Sequence, residues 1–151
     1  MATPGAVSIC GPMVATSRMS PNFSALLVFG IVLSFPHLSS CQCWSVFQQK
    51  HIRSAAITCN VEMNQALYYI KGQCKPVNTF IISPPRNVQT LCTGITRSQD
   101  VLSPAAFTLN NCNYASGLPT NCVYNSRPMT DKICVRCENQ LPVHFAGVKK
   151  C

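Results

Sequence analysis

Acidic side chains are scarce: the 151 residues hold only four Asp and Glu. Hard divalent cations need several oxygen ligands converging on one point, so this scarcity argues against a metal centre of clustered carboxylates. Long apolar runs are also lacking. The uncharged stretch Ala25 to Phe35 has 11 residues, whereas a spanning helix needs roughly 20. No N-x-S/T sequon follows Gln42, so N-glycosylation is not expected downstream of it. There is no internal repeat, low-complexity tract or block of like charge. At this length the chain holds one ordinary globular domain and little more.

Cysteine and basic residues are abundant instead. Eleven cysteines in so short a chain would be reactive thiols in a reducing cytosol, and they point to an oxidising, extracellular setting. Twelve Lys and Arg against the four acids give a formal charge of +8. Such a balance suits polyanionic partners: nucleic acid, acidic glycans or anionic membrane surfaces.

Ala25 to Phe35 reads as the apolar core of a signal peptide, with Arg18 before it and Pro36, Ser39, Ser40 and Cys41 after it. Cleavage is expected just before Gln42. The expected organisation is an N-terminal extension over 1–18 without readable periodicity, a signal peptide over 19–41 with Met19 as a possible start, and a folded domain over 42–151. A lipidated Cys41 after Leu38-Ser39-Ser40 is the alternative for this junction. Only Arg18 among the twelve basic residues lies upstream, so the basic character belongs to the folded domain.

Trp44, Phe47 and His51 fall on one face of a short helix. A second helix is expected from Asn60 as its cap through Glu62, Met63 and Ala66 toward Tyr68, ending at Gly72. Pro84-Pro85 open a third, with Val88, Leu91 and Cys92 on its apolar side. Strands are expected over 78–82, 107–110, 122–124, 132–137 and 141–145, with loops near 83–87 and 116–130. Helices early and strands late predict an α+β domain: three short helices packed on an antiparallel sheet.

Nine cysteines follow Gln42, so pairing among them leaves one over. The Cys134-x-x-Cys137 pair reads as two staples on one strand rather than as a zinc or redox centre. It has no matching second pair and does not open a helix.

Three segments carry chemistry: FQQKHI (47–52), CKPVNTFI (74–81) and CENQLPVHF (137–145). With their flanking cysteines they resemble the pancreatic-type ribonuclease superfamily, in particular its amphibian, onconase-like branch, over essentially all of 42–151. The resemblance implies a ribonuclease-like fold with bridges Cys59–Cys112, Cys74–Cys122, Cys92–Cys137 and Cys134–Cys151. Cys43 is the cysteine left over, a possible point of dimerisation in a domain otherwise expected to be monomeric.

The resemblance further implies a secreted endoribonuclease that needs neither metal nor cofactor. RNA supplies its own nucleophile, the 2′-hydroxyl, so the protein need only move protons and stabilise charge. Two histidines suffice, because near neutrality one can be neutral and the other protonated. His51 is implied as base, His144 as acid and Lys75 as stabiliser of phosphoryl charge, helped by the backbone N–H of Phe145. Of the chain's three histidines, His37 lies in the signal segment.

Substrate contacts are implied at Lys50, at Asn78 and at Thr79, whose hydroxyl serves as donor or acceptor toward a pyrimidine edge. Asn111 stands where relatives often carry Asp, which bears on uracil against cytosine. Glu138 matches a residue favouring guanine on the 3′ side, and Gln42 is able to cyclise. Arg86, Arg97, Arg127, Lys149 and Lys150 read as solvated charges. The competing expectation is a binding protein on the same fold, a sialic-acid-binding lectin or a membrane-active antimicrobial protein. Loss of His144 would leave either of those roles intact.

Overall fold

A computed structural model describes residues 43–151. The expected extension, signal segment, cleavage point, His37 and Gln42 lie outside the described residues.

The chain runs through α1 (Trp44–His51), β1 (Ile52–Arg53), α2 (Cys59–Met63), a 3-10 turn (Ala66–Tyr68), β2 (Tyr69–Ile70), β3 (Gln73–Cys74) and β4 (Val77–Ile82). It continues through α3 (Pro85–Gln89), a second 3-10 turn (Thr90–Cys92), β5 (Gln99–Leu102), β6 (Phe107–Ser116), β7 (Val123–Asp131), β8 (Ile133–Glu138) and β9 (Leu141–Val148). One sheet has the order β1-β4-β6-β7, another β5-β8-β9, and β2-β3 form a hairpin. All pairings are antiparallel except β1 on β4, where Ile52 lies opposite Ile81 in parallel.

The first sheet has a core on each face. Adjacent residues of a strand point to opposite sides, and Phe80 and Ile81 of β4 divide between the two. Ile81 packs with Phe47, Val88, Leu109 and Val135. Phe80 packs with Met63, Tyr68, Cys112 and Tyr124. Each fully buried large apolar side chain contributes about 2 kcal/mol. In α1, Trp44 stacks on Phe47 at 5.8 Å between ring centroids and Phe47 lies 5.4 Å from His51, the shared face that the spacing predicts. Lys50 and His51 occupy its last turn, where positive charge complements the helix dipole.

Among the described residues four disulfides join Cys59 to Cys112, Cys74 to Cys122, Cys92 to Cys137 and Cys134 to Cys151. Both cysteines of the C-x-x-C pair are therefore staples. Cys43 is also disulfide-bonded, which corrects the expected unpaired thiol and its role as a dimerisation point.

Two local readings change. Asn60 does not cap α2 but lies inside it, and its Oδ1 accepts the backbone N–H of Tyr124 at 2.7 Å, tying the helix to β7. Thr58 takes the cap position, and the helix stops at Met63 well short of Tyr68. The strand expected over 122–124 is longer, since residues 125–130, expected in a loop, also belong to strand β7. Pro128 is tolerated there because β7 is an edge strand and needs no ladder bond on its outer side. At the β6–β7 tip Gly117 has φ +96°, and a Cβ there would collide with the Asn121 carbonyl oxygen, so only glycine fits.

Candidate active site

The end of α1, the β3–β4 junction and the middle of β9 meet at a cavity of about 210 Å³. It is lined by Val46, Phe47, Lys50, His51, Lys75, Val143 and His144. The residues singled out as base, acid and phosphoryl stabiliser thus come from three distant segments to one concavity. A larger cavity of about 400 Å³ lies between α3 and the β8–β9 turn. Its lining has one charged residue, Arg86, and no titratable pair suited to proton transfer.

His51 is held on two sides by rings, Phe47 and Phe145, the latter stacked at 5.3 Å. Its Nδ1 lies 2.9 Å from the carbonyl oxygen of Thr79. A carbonyl can only accept, so Nδ1 carries the hydrogen and Nε2 keeps its lone pair. Burial drives the pKa of this imidazole down from 6.5 to about 4. The Thr79 hydrogen bond opposes the shift, while the charges of Lys75, His144 and Lys50 add to it. The His51 ring is therefore neutral at neutral pH, with Nε2 free to accept a proton.

Lys75 follows Cys74 directly, and its staple to Cys122 fixes the backbone there. The ammonium donates to Asn78 Oδ1 at 2.7 Å and lies 5.9 Å from the centre of the Tyr68 ring. Burial lowers its pKa from the ordinary value, with the charge of Lys50 adding to the effect. Asn78, only 2% exposed, spends its amide N–H on the carbonyl of Lys50 at 2.8 Å. One buried amide thus positions the lysine and the end of α1 together.

The remaining residues are placed as follows. Thr79 pairs with Asn111 across β4 and β6, and its hydroxyl donates to Asn111 Oδ1 at 3.3 Å. Glu138, at the end of β8, accepts the Ser98 hydroxyl at 3.0 Å and does not line the cavity. His144 is exposed on β9 and lies opposite Arg136 of β8. Arg86, Arg97, Arg127, Lys149 and Lys150 are exposed, and Lys149 pairs loosely with Asp131 at 3.6 Å. Among the described residues no three His, Cys, Asp or Glu side chains converge as metal ligands would.

Several contributors were not legible beforehand. Val46 and Val143 form apolar walls, Tyr124 donates its hydroxyl to the Lys75 carbonyl at 2.9 Å, and Arg136 neighbours His144. The first pair could have been sought by nearness in sequence, since Val46 lies one helical turn before Lys50 and Val143 directly precedes His144. The others depend on strand register.

Comparison with known proteins identifies the family of the chain. The profile of the family described as "Pancreatic ribonuclease" matches residues 43–146. The "Oocytes ribonuclease" of Aquarana catesbeiana is 52% identical over 129 residues, 85% of this chain and 96% of that protein. "Protein P-30" of Lithobates pipiens is 42% identical over 111 residues, 73% of this chain and 100% of that protein. A cytotoxic ribonuclease from Rana catesbeiana, solved in complex with d(ApCpGpA) and (2′,5′CpG), matches with a TM-score of 0.64 at 43% identity. The match covers 72% of this chain and 98% of that one. With the motifs, the four bridges and these relatives in agreement, the chain belongs to the pancreatic ribonuclease family, beside the frog oocyte and cytotoxic ribonucleases, and is an enzyme of that type.

Proposed function

We propose that the protein is a secreted, metal-independent endoribonuclease that cuts single-stranded RNA on the 3′ side of pyrimidines through a 2′,3′-cyclic phosphate. The observation that carries this reading is the His51 to Thr79 hydrogen bond, which leaves the Nε2 lone pair as the proton acceptor in a cavity shared with Lys75 and His144.

His51 Nε2 removes the 2′-hydroxyl proton as that oxygen attacks phosphorus. Protonated His144 donates to the 5′-oxygen as its bond to phosphorus breaks, and the two exchange roles when the cyclic phosphate is hydrolysed. Lys75 stabilises the charge building on the phosphoryl oxygens, with the backbone N–H of Phe145 assisting. Lys50, on the cavity wall, meets a neighbouring phosphate.

The Thr79 hydroxyl accepts from N3–H of uracil while it donates to Asn111, or turns to donate to N3 of cytosine. Glu138 accepts from guanine on the 3′ side. Host defence or cytotoxicity is the proposed setting, in keeping with the relatives described as cytotoxic, and four staples suit an extracellular life.

The test is cleavage of an oligoribonucleotide containing one pyrimidine, in EDTA, by refolded 42–151 and by its His144→Ala variant. Cleavage after the pyrimidine by the first protein alone is expected. Abolition by EDTA, or equal cleavage by both, would sink the mechanism.

A further inference from the structure

Three exposed side chains stand in a row across the second sheet. The register sets Asp100 of β5 opposite Arg136 of β8, and Arg136 opposite His144 of β9. Directly opposed residues share a face and have Cβ atoms about 5 Å apart, so Arg136 is the immediate neighbour of His144.

The guanidinium is not loose. Nε donates to Asp100 Oδ1 at 2.9 Å and Nη2 to Oδ2 at 3.0 Å, a bidentate pair that fixes the plane of the group. The hydrogen bond to Arg136 holds the Asp100 carboxyl below the usual carboxylate range, and the charge of His144 acts on it in the same direction.

The other charges around His144 are mostly positive. The cations Lys50 and Lys75 line its cavity from α1 and the β3–β4 junction, together with the neutral His51 ring. Glu138, two residues beyond Arg136, is engaged by Ser98. A free guanidinium next to His144 would add one more cation beside an imidazole that must carry a proton to act as an acid.

We propose that Asp100 is a positioning residue for the leaving-group acid, holding Arg136 in a charge-balanced pair beside His144 so that the His144 imidazolium remains available as proton donor. The inference rests on the assignment of His144 as that acid. The proton passes from the imidazolium to the departing 5′-oxygen, which keeps the electron pair of the broken P–O bond.

The test uses the full chain and compares the unsubstituted protein with Asp100→Asn, Asp100→Glu, Arg136→Gln and the Asp100→Asn/Arg136→Gln double variant. The pH profile of kcat/KM on a single-pyrimidine oligonucleotide and the NMR titration of the His144 ring proton are recorded for each. Asp100→Asn is expected to move the alkaline limb and the titration midpoint down by about half a pH unit, the size of one screened charge at this range. Arg136→Gln moves both upward, the double variant restores them, and Asp100→Glu keeps them in place.

An unmoved limb in Asp100→Asn, a loss of rate uniform across pH, or shifts of the same sign in Asp100→Asn and Arg136→Gln would each overturn the proposal. Absence of cleavage by the unsubstituted protein would instead overturn the assignment of His144 itself. The NMR midpoint, read without substrate, keeps those two failures apart.

Discussion

The imidazole Nδ1–H of His51 donates to the backbone carbonyl of Thr79 at 2.9 Å, joining the last residue of α1 to the middle of β4. The bond fixes the ring tautomer, and burial holds the ring neutral down to about pH 4. The acid limb of kcat/KM, which reports protonation of the base in the free enzyme, is therefore expected well below the ordinary histidine value of 6.5. A pH–rate profile on a dinucleotide substrate checks this, and a limb at or above 6.5 would contradict it.

The same shift makes stability depend on pH. Between pH 6.5 and about 4 the unfolded chain takes up a proton at this histidine while the folded chain does not, so protonation favours unfolding across that window. Stability contributed by His51 is present above 6.5 and is lost as pH falls toward 4. Urea melts at pH 7 and pH 4.5 are expected to differ less for His51→Gln than for the unsubstituted protein.

Asn78 connects Lys75 and the end of α1. Its carbonyl oxygen accepts from Lys75 and its amide donates to Lys50, at the turn of α1 that also carries His51. Lys75→Ala removes the cation and is expected to lower kcat by about 100-fold or more, the usual scale for a lost electrostatic stabiliser. Asn78→Ala leaves the cation in place but unaimed, and is expected to cost about 10-fold with the lysine still present. Steady-state kinetics with circular dichroism as a folding check distinguish the two, and equal losses would show that aim matters as much as charge.

Asn111 is the proposed point at which base preference is open to change. As a neutral amide it holds the Thr79 hydroxyl through a long bond of 3.3 Å. A carboxylate accepts such a hydrogen bond more strongly and keeps the threonine oxygen turned as an acceptor, which suits N3–H of uracil and not N3 of cytosine. Asn111→Asp is expected to raise the uracil-to-cytosine ratio of kcat/KM about fivefold, corresponding to roughly 1 kcal/mol. Competing UpG and CpG substrates measure it, and an unchanged ratio would remove Asn111 from the account of specificity.

Much of the domain was legible because its signals are local. The α1 face follows from Trp44, Phe47 and His51, and the start of α3 follows from Pro85 at its first position, with a fixed φ and no N–H to satisfy. The bridges were legible through family resemblance, since nine cysteines alone leave the pairing open. Strand β5 was not legible, because none of Gln99 to Leu102 is buried and the stretch shows no clean alternation. Strand β7 was hidden by Arg127-Pro128, which reads as a breaker until the strand is known to lie at an edge. The row of Asp100, Arg136 and His144 was also out of reach. It depends on two registers, one of which shifts between Arg136 and Cys137, and no pattern within a single segment encodes that.

The four staples are unequal, and their spacing says by how much. A bridge stabilises chiefly by removing conformations from the unfolded chain, more so as the loop it closes grows. Cys134 and Cys151 are 17 residues apart, whereas Cys59 and Cys112 are 53 apart. On the loop-entropy relation, replacing the first pair with Ala is expected to cost about 3 kcal/mol and the second about 4 kcal/mol. Both cysteines of the second pair are buried in the core around Phe80 and Tyr68, whereas the first pair buries Cys134 but ends at the exposed Cys151, so removal of the second pair carries the larger packing loss. Urea unfolding of the two double-Ala variants is expected to rank them in that order. The Cys134/Cys151 variant should remain folded at 25 °C and the Cys59/Cys112 variant should be close to its midpoint without denaturant. The reverse order would show that native-state contacts at the C-terminus, rather than loop entropy, set the contribution of each bridge.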